Sequence, residues 1–144
     1  RPCVQVWGYN PSENCRLSGV GIKYTGDLPM TEFAAYIQPH GWAFNGGGKK
    51  VEGYAYGLRA QGNRQRYNNV EACLKVANTS GGYGLYVEGD NCTVDGLETD
   101  GLYQSLSIAS TADKTRYDAV IGRRTTAALN NAGTNTSAGA AADL

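Results

Sequence analysis

Short runs of alternating apolar and polar residues, separated by Gly, Asn, Asp and Pro, dominate this chain. Residues 3–9 (Cys-Val-Gln-Val-Trp-Gly-Tyr) predict a first strand, and 10–14 (Asn-Pro-Ser-Glu-Asn) a turn in which Pro sets φ. Leu17, Val20, Ile22 and Tyr24 interleave with Gly19 and Gly21, which predicts a bulged second strand. Further strands are expected over 51–58, 83–87 and 102–108, with Thr93, Val94 and Leu97 closing a hairpin across 88–91. Residues 41–44 form a strand fragment that runs into a flexible Gly-rich loop.

Other segments carry a helical period. Phe33, Ala34 and Ile37 lie behind Thr31 and ahead of Pro39, predicting a short helix over 29–38. Val70, Cys73, Leu74 and Ala77 recur at i, i+3, i+4 and i+7, and Asn68 with Glu71 has capping-box spacing, so 69–77 is the cleanest helix. A third helix over 111–121 would turn Tyr117, Val120 and Ile121 inward. No internal repeat stands out at periods of 20–50 residues. The expected fold is α+β, a small mainly antiparallel sheet packed with two to three short helices and stabilised by disulfides.

At 144 residues the chain is one domain, assigned to 1–124, and the Ala/Thr/Asn/Gly-rich stretch 125–144 reads as a low-complexity tail. Thirteen basic and thirteen acidic side chains cancel, which argues against nucleic-acid binding through bulk charge. No apolar run is long enough to span a bilayer. The start at Arg1-Pro2-Cys3 suggests a mature secreted chain, and Asn78, Asn91 and Asn135 head glycosylation sequons. Cys3, Cys15, Cys73 and Cys92 lack the Cys-x-x-Cys spacing of a zinc site, so two disulfides of open pairing are expected, with no metal or cofactor.

Candidate chemistry is sparse. His40 is the single imidazole and has no acid or nucleophile beside it in sequence, so it reads as a loop residue rather than a catalytic base. Glu88, Asp90, Asp95, Glu98 and Asp100 contain neither the EF-hand series nor a defined glycosidase pair. Aromatic and basic side chains are the better candidates for binding: Trp42, Phe44, Tyr54 and Tyr56, with Arg59, Arg64 and Arg66. The run Cys73-Leu-Lys-Val-Ala-Asn, followed by Gly82-Tyr-Gly-Leu-Tyr-Val and then Cys92, resembles small secreted fungal effectors and killer-toxin-like proteins. In those a Cys-bearing helix packs on a short antiparallel sheet. The likeness spans about a fifth of the chain, departs in cysteine number and spacing, and transfers no functional residue.

The functional expectation is a secreted, non-catalytic interaction protein, effector-like or toxin-like, that binds a protein or glycan through its surface. A carbohydrate-binding module or weak carbohydrate-active hydrolase is the alternative.

Overall fold

Residues 4–6, 16–26 and 28–144 are described by the computed structural model. They coil into a parallel β-solenoid of six rungs. The first contains β1 (Val4–Val6), β2 (Arg16–Ser18) and β3 (Ile22–Lys23), and the second β4 (Met30–Ile37), β5 (Ala43–Asn45) and β6 (Val51–Glu52). The third is β7 (Tyr54–Ala60) and β8 (Arg66–Cys73), the fourth β9 (Tyr83–Val87) and β10 (Thr93–Asp100), the fifth β11 (Gln104–Ile108) and β12 (Arg116–Arg123). The sixth is β13 (Ala127–Asn131), β14 (Ser137–Ala138) and β15 (Ala141–Asp143), all within the stretch 125–144. A first sheet runs β1-β4-β7-β9-β11-β13; a second runs β14-β12-β10-β8-β5-β2, with β15, β6 and β3 extending it.

The α+β expectation is overturned. No helix occurs among the described residues, and the ladders are parallel, including β8–β10 and β7–β9. The hairpin expected across 88–91 is instead a corner that hands the chain from the first sheet, at β9, to the second, at β10. Among the described residues no helix is long and apolar enough to cross a membrane. The disulfide expectation fails as well: Cys73 and Cys92 are free thiols. Cys73 is opposite Asp100 at one end of the β8–β10 ladder, whereas Cys92 precedes Thr93 at the other. That separation is far beyond the ~4.4–6.8 Å between Cα atoms that a bridge needs. Cys3, Cys15, Trp7, Tyr9 and the turn 10–14 lie outside the described residues.

An internal repeat does exist, restarting every twenty-odd residues. In the first sheet it reads Phe33-Ala-Ala-Tyr-Ile37, Tyr56-Gly-Leu-Arg-Ala60, Tyr83-Gly-Leu-Tyr-Val87, Gln104-Ser-Leu-Ser-Ile108 and Ala127-Ala-Leu-Asn-Asn131. Ala35, Leu58, Leu85, Leu106 and Leu129 stack in register, as do Ile37, Ala60, Val87 and Ile108. Most of these side chains are fully buried, so each rung completes its neighbour's core. The second position of the motif is always small. A Cβ on Gly57 would run into the Gly84 carbonyl of the next rung. Two successive buried positions therefore leave the first and fourth residues together on the outside.

The second sheet explains the helical period. Its repeat is Tyr67-Asn-Asn-Val70, Val94-Asp-Gly-Leu97 and Tyr117-Asp-Ala-Val120, with the outer residues of each quartet inside the core. The third residue of each has left-handed backbone: φ is 52° at Asn69, 83° at Gly96 and 53° at Ala119. That bend inserts one residue into the strand, converting the i, i+2 period of a strand into an i, i+3 spacing. The helices expected over 69–77 and 111–121 are consequently strands β8 and β12. The expected helix over 29–38 is β4, where consecutive inward Ala34 and Ala35 imitate the same period.

At the corner between the sheets a polar ladder ties the rungs together. Asn63 N–H donates to His40 Nδ1 (2.8 Å), Asp90 N–H to Asn63 Oδ1 (2.9 Å), and Asp113 N–H to Asp90 Oδ1 (3.0 Å). Asn135 Nδ2 then donates to Asp113 Oδ1 (2.7 Å). The first three bonds thus satisfy backbone N–H groups of successive corners, and the fourth ties in the last rung through a side chain. Just beyond the corner, Gln65 is fully buried; its Nε2 donates to Ile37 O (2.8 Å) and Pro39 O (2.9 Å), and its Oε1 accepts from the Tyr67 hydroxyl (2.7 Å).

Candidate functional site

The outside of the first sheet carries an aromatic patch three rungs tall. Because the repeat puts its first and fourth residues outward, Phe33, Tyr56 and Tyr83 form one column, and Tyr36, Arg59 and Tyr86 the next. Their rings interlock: Phe33–Tyr56 at 5.2 Å, Phe33–Tyr36 at 5.5 Å, and Tyr83–Tyr86 stacked at 5.0 Å. Phe33, Tyr83 and Tyr86 are within 22° of parallel. All five rings are partly exposed. In the midst of them Arg59 directs Nη2 at 2.8 Å and Nε at 3.2 Å to Glu88 Oε1, with its guanidinium carbon 5.2 Å from the Tyr36 centroid. The Glu88 hydrogen bond and charge raise the pKa of Arg59, so this cation is permanent. Burial, then Glu88, raises that of the Tyr86 phenol, which remains a neutral hydroxyl donor.

The candidates named from sequence disperse. Tyr56 and Arg59 belong to the aromatic patch. Phe44 is in the core, 2% exposed and stacked on Tyr67, and Tyr54 is 7% exposed with its edge toward Tyr24. Trp42 packs against the core from a partly buried position. Arg64 and Arg66 are exposed on either side of buried Gln65, past the corner on the second sheet. Phe33, Tyr36, Tyr83 and Tyr86 are not singled out by any local pattern, and only the register groups them. The repeated Tyr-Gly-Leu at 56–58 and 83–85 was the signal that could have done so.

The acidic stretch is spread around one rung. Glu88 holds Arg59, Asp90 takes the Asp113 N–H, Glu98 is 3.9 Å from Arg123, and Asp100 accepts from Arg124 Nε at 2.6 Å. Among the described residues no three His, Cys, Asp or Glu side chains converge as metal ligands would. His40 lends Nδ1 to the corner ladder. Cys73 borders a hollow of about 240 Å³ with Lys23, Glu52 and Lys75. Burial and then Glu52 push its thiol pKa up, the opposite of what activates a nucleophile. Asn91 and Asn135 are exposed at corner positions, while Asn78 donates Nδ2 to Gly81 O at 2.8 Å.

No family model, curated protein or solved structure matches this chain.

Proposed function

We propose that this protein is a non-catalytic glycan-binding module that acts outside the cell, with its ligand lying flat on the aromatic face of the first sheet. The observation that carries this reading is the near-parallel set Phe33, Tyr83 and Tyr86, partly exposed beside Tyr36, Tyr56 and the Arg59–Glu88 pair. A sugar ring has an apolar C–H face that matches an aromatic ring and a rim of hydroxyls that needs donors and acceptors. The patch supplies both on a sheet whose backbone is held by its ladders. A partly exposed aromatic cluster of this kind on a rigid scaffold supports recognition more than packing alone.

A glycan array followed by titration of the best neutral oligosaccharide tests the proposal. Tyr83→Ala and Tyr86→Ala should each weaken binding roughly three- to tenfold, the range implied by about 0.5–1.5 kcal/mol per ring contact. Tyr83→Phe should retain most of the affinity. Absence of any glycan ligand, or a ligand indifferent to both alanine variants while their melting temperatures hold, would overturn it.

A further inference from the structure

A second surface, independent of the aromatic face, lies just past the corner on the outside of the second sheet. In-register pairing aligns Arg66, Thr93, Arg116 and Ser137 in one column. Two residues earlier, the left-handed corner positions Arg64, Asn91, Lys114 and Asn135 occupy the equivalent place in the same four rungs. Cationic rungs therefore alternate with neutral, hydrogen-bonding rungs: Arg64/Arg66, then Asn91/Thr93, then Lys114/Arg116, then Asn135/Ser137. Two rungs along a parallel sheet rise about 9–10 Å.

The four cations are exposed, and none has an ion-pair partner among the described residues. The acids of the corner are engaged chiefly by hydrogen bonds, although the Lys114 charge also acts on Asp113. Asp113 accepts from Thr134 Oγ1 (2.9 Å) and Asn135 Nδ2 (2.7 Å), and Asp90 from Asp113 N–H. Asp95 and Asp118 form the next outward column and bound the stripe on that side. A groove of about 340 Å³ opens over three of these rungs, lined by Asn91, Thr93, Lys114, Arg116, Asn135 and Ser137, and the Arg64/Arg66 rung continues the stripe beyond it.

We infer that this groove binds an acidic polysaccharide bearing one carboxylate or sulfate on every second sugar, its chain running along the solenoid axis. Charged sugars would meet the Arg/Lys rungs, and the neutral sugars between them the Asn, Thr and Ser rungs. The alternation with polar rather than aromatic side chains favours this over single-stranded nucleic acid, which needs exposed rings on which to stack its bases. The aromatic residues of these strands, Tyr67 and Tyr117, point into the core.

The test is titration of the full chain at several salt concentrations with hyaluronan, charged on alternate sugars, against polygalacturonate, charged on every sugar, neutral dextran and oligo-dT. Hyaluronan should bind best, with affinity falling as salt rises. Lys114→Ala with Arg116→Ala should weaken it at least about tenfold. Thr93→Ala should weaken it less, and Lys75→Ala, which removes an exposed cation outside the stripe, should leave it unchanged. No binding of hyaluronan, tighter binding of oligo-dT or polygalacturonate, or binding indifferent to the loss of Lys114 and Arg116 in a folded variant would overturn the inference.

Discussion

Replacing Gln65 by Leu removes the polar anchor on which the corner rests, and its cost can be worked from the partners it leaves behind. The Tyr67 hydroxyl loses its acceptor, and the Pro39 carbonyl loses its donor. The Ile37 carbonyl also loses Gln65 but keeps the Gln61 N–H at 2.9 Å. Burial raises the pKa of the Tyr67 phenol well above its ordinary value, so the hydroxyl is protonated and must be satisfied as a donor. Two orphaned buried groups at ~1–3 kcal/mol each, less what the added apolar volume returns, give about 3 kcal/mol for Gln65→Leu. Tyr67→Phe alone should cost about 1–2 kcal/mol, because it strands the Gln65 oxygen instead. In the double variant the orphaned hydroxyl no longer exists, so it should be no less stable than Gln65→Leu, a coupling of ~1–3 kcal/mol. Urea titrations followed by circular dichroism and by tryptophan fluorescence measure the four corners of this cycle. Coincidence of the two signals shows that one transition is being compared. Effects that add to within about 0.5 kcal/mol would refute the network as an energetic unit.

Cys92 should make the protein sensitive to alkali, because burial raises its thiol pKa from 9.0 to about 11. Between those values the native state holds a proton that the unfolded chain releases, so stability falls as pH rises, by about 2–3 kcal/mol; urea midpoints across this window should fall less steeply in Cys92→Ala. His40→Ala should cost about 1 kcal/mol in the same assay by leaving the Asn63 N–H without its acceptor, and His40→Asn should restore most of it, since Asn63 and Asp90 play that part in the following rungs. Glycan binding should be unchanged in both His40 variants, and its loss in either would show that the imidazole does more than hold the corner.

Alternation by itself marked 51–58, 83–87 and 102–108 as strands, since strand-forming residues on a half-buried surface repeat at two. The helical period placed Val70, Leu74, Tyr117 and Val120 inward, and all four are buried, whereas Cys73, Ala77 and Ile121 of the same sets are only half-buried. The conformation that delivers them was decided elsewhere. Left-handed backbone at Asn69 and Ala119 sets Tyr67 three residues from Val70 and Tyr117 three from Val120, a spacing indistinguishable in sequence from a helical face. The parallel pairing was equally hidden, because a strand's partner lies a whole rung away and the corners between differ in length. The repeat is hidden for a related reason: its second position demands only smallness, met by Ala34, Gly57, Gly84, Ser105 and Ala128 alike. Both binding surfaces depend on that long-range register. Tyr56 and Arg59 were legible as candidates one by one, but their alignment with Phe33, Tyr83 and Tyr86 is not a property of any local segment. Neither is the alternation of Arg66, Thr93, Arg116 and Ser137. Local sequence chooses which way a side chain points from its strand, and only the coiling of the chain chooses what stands beside it.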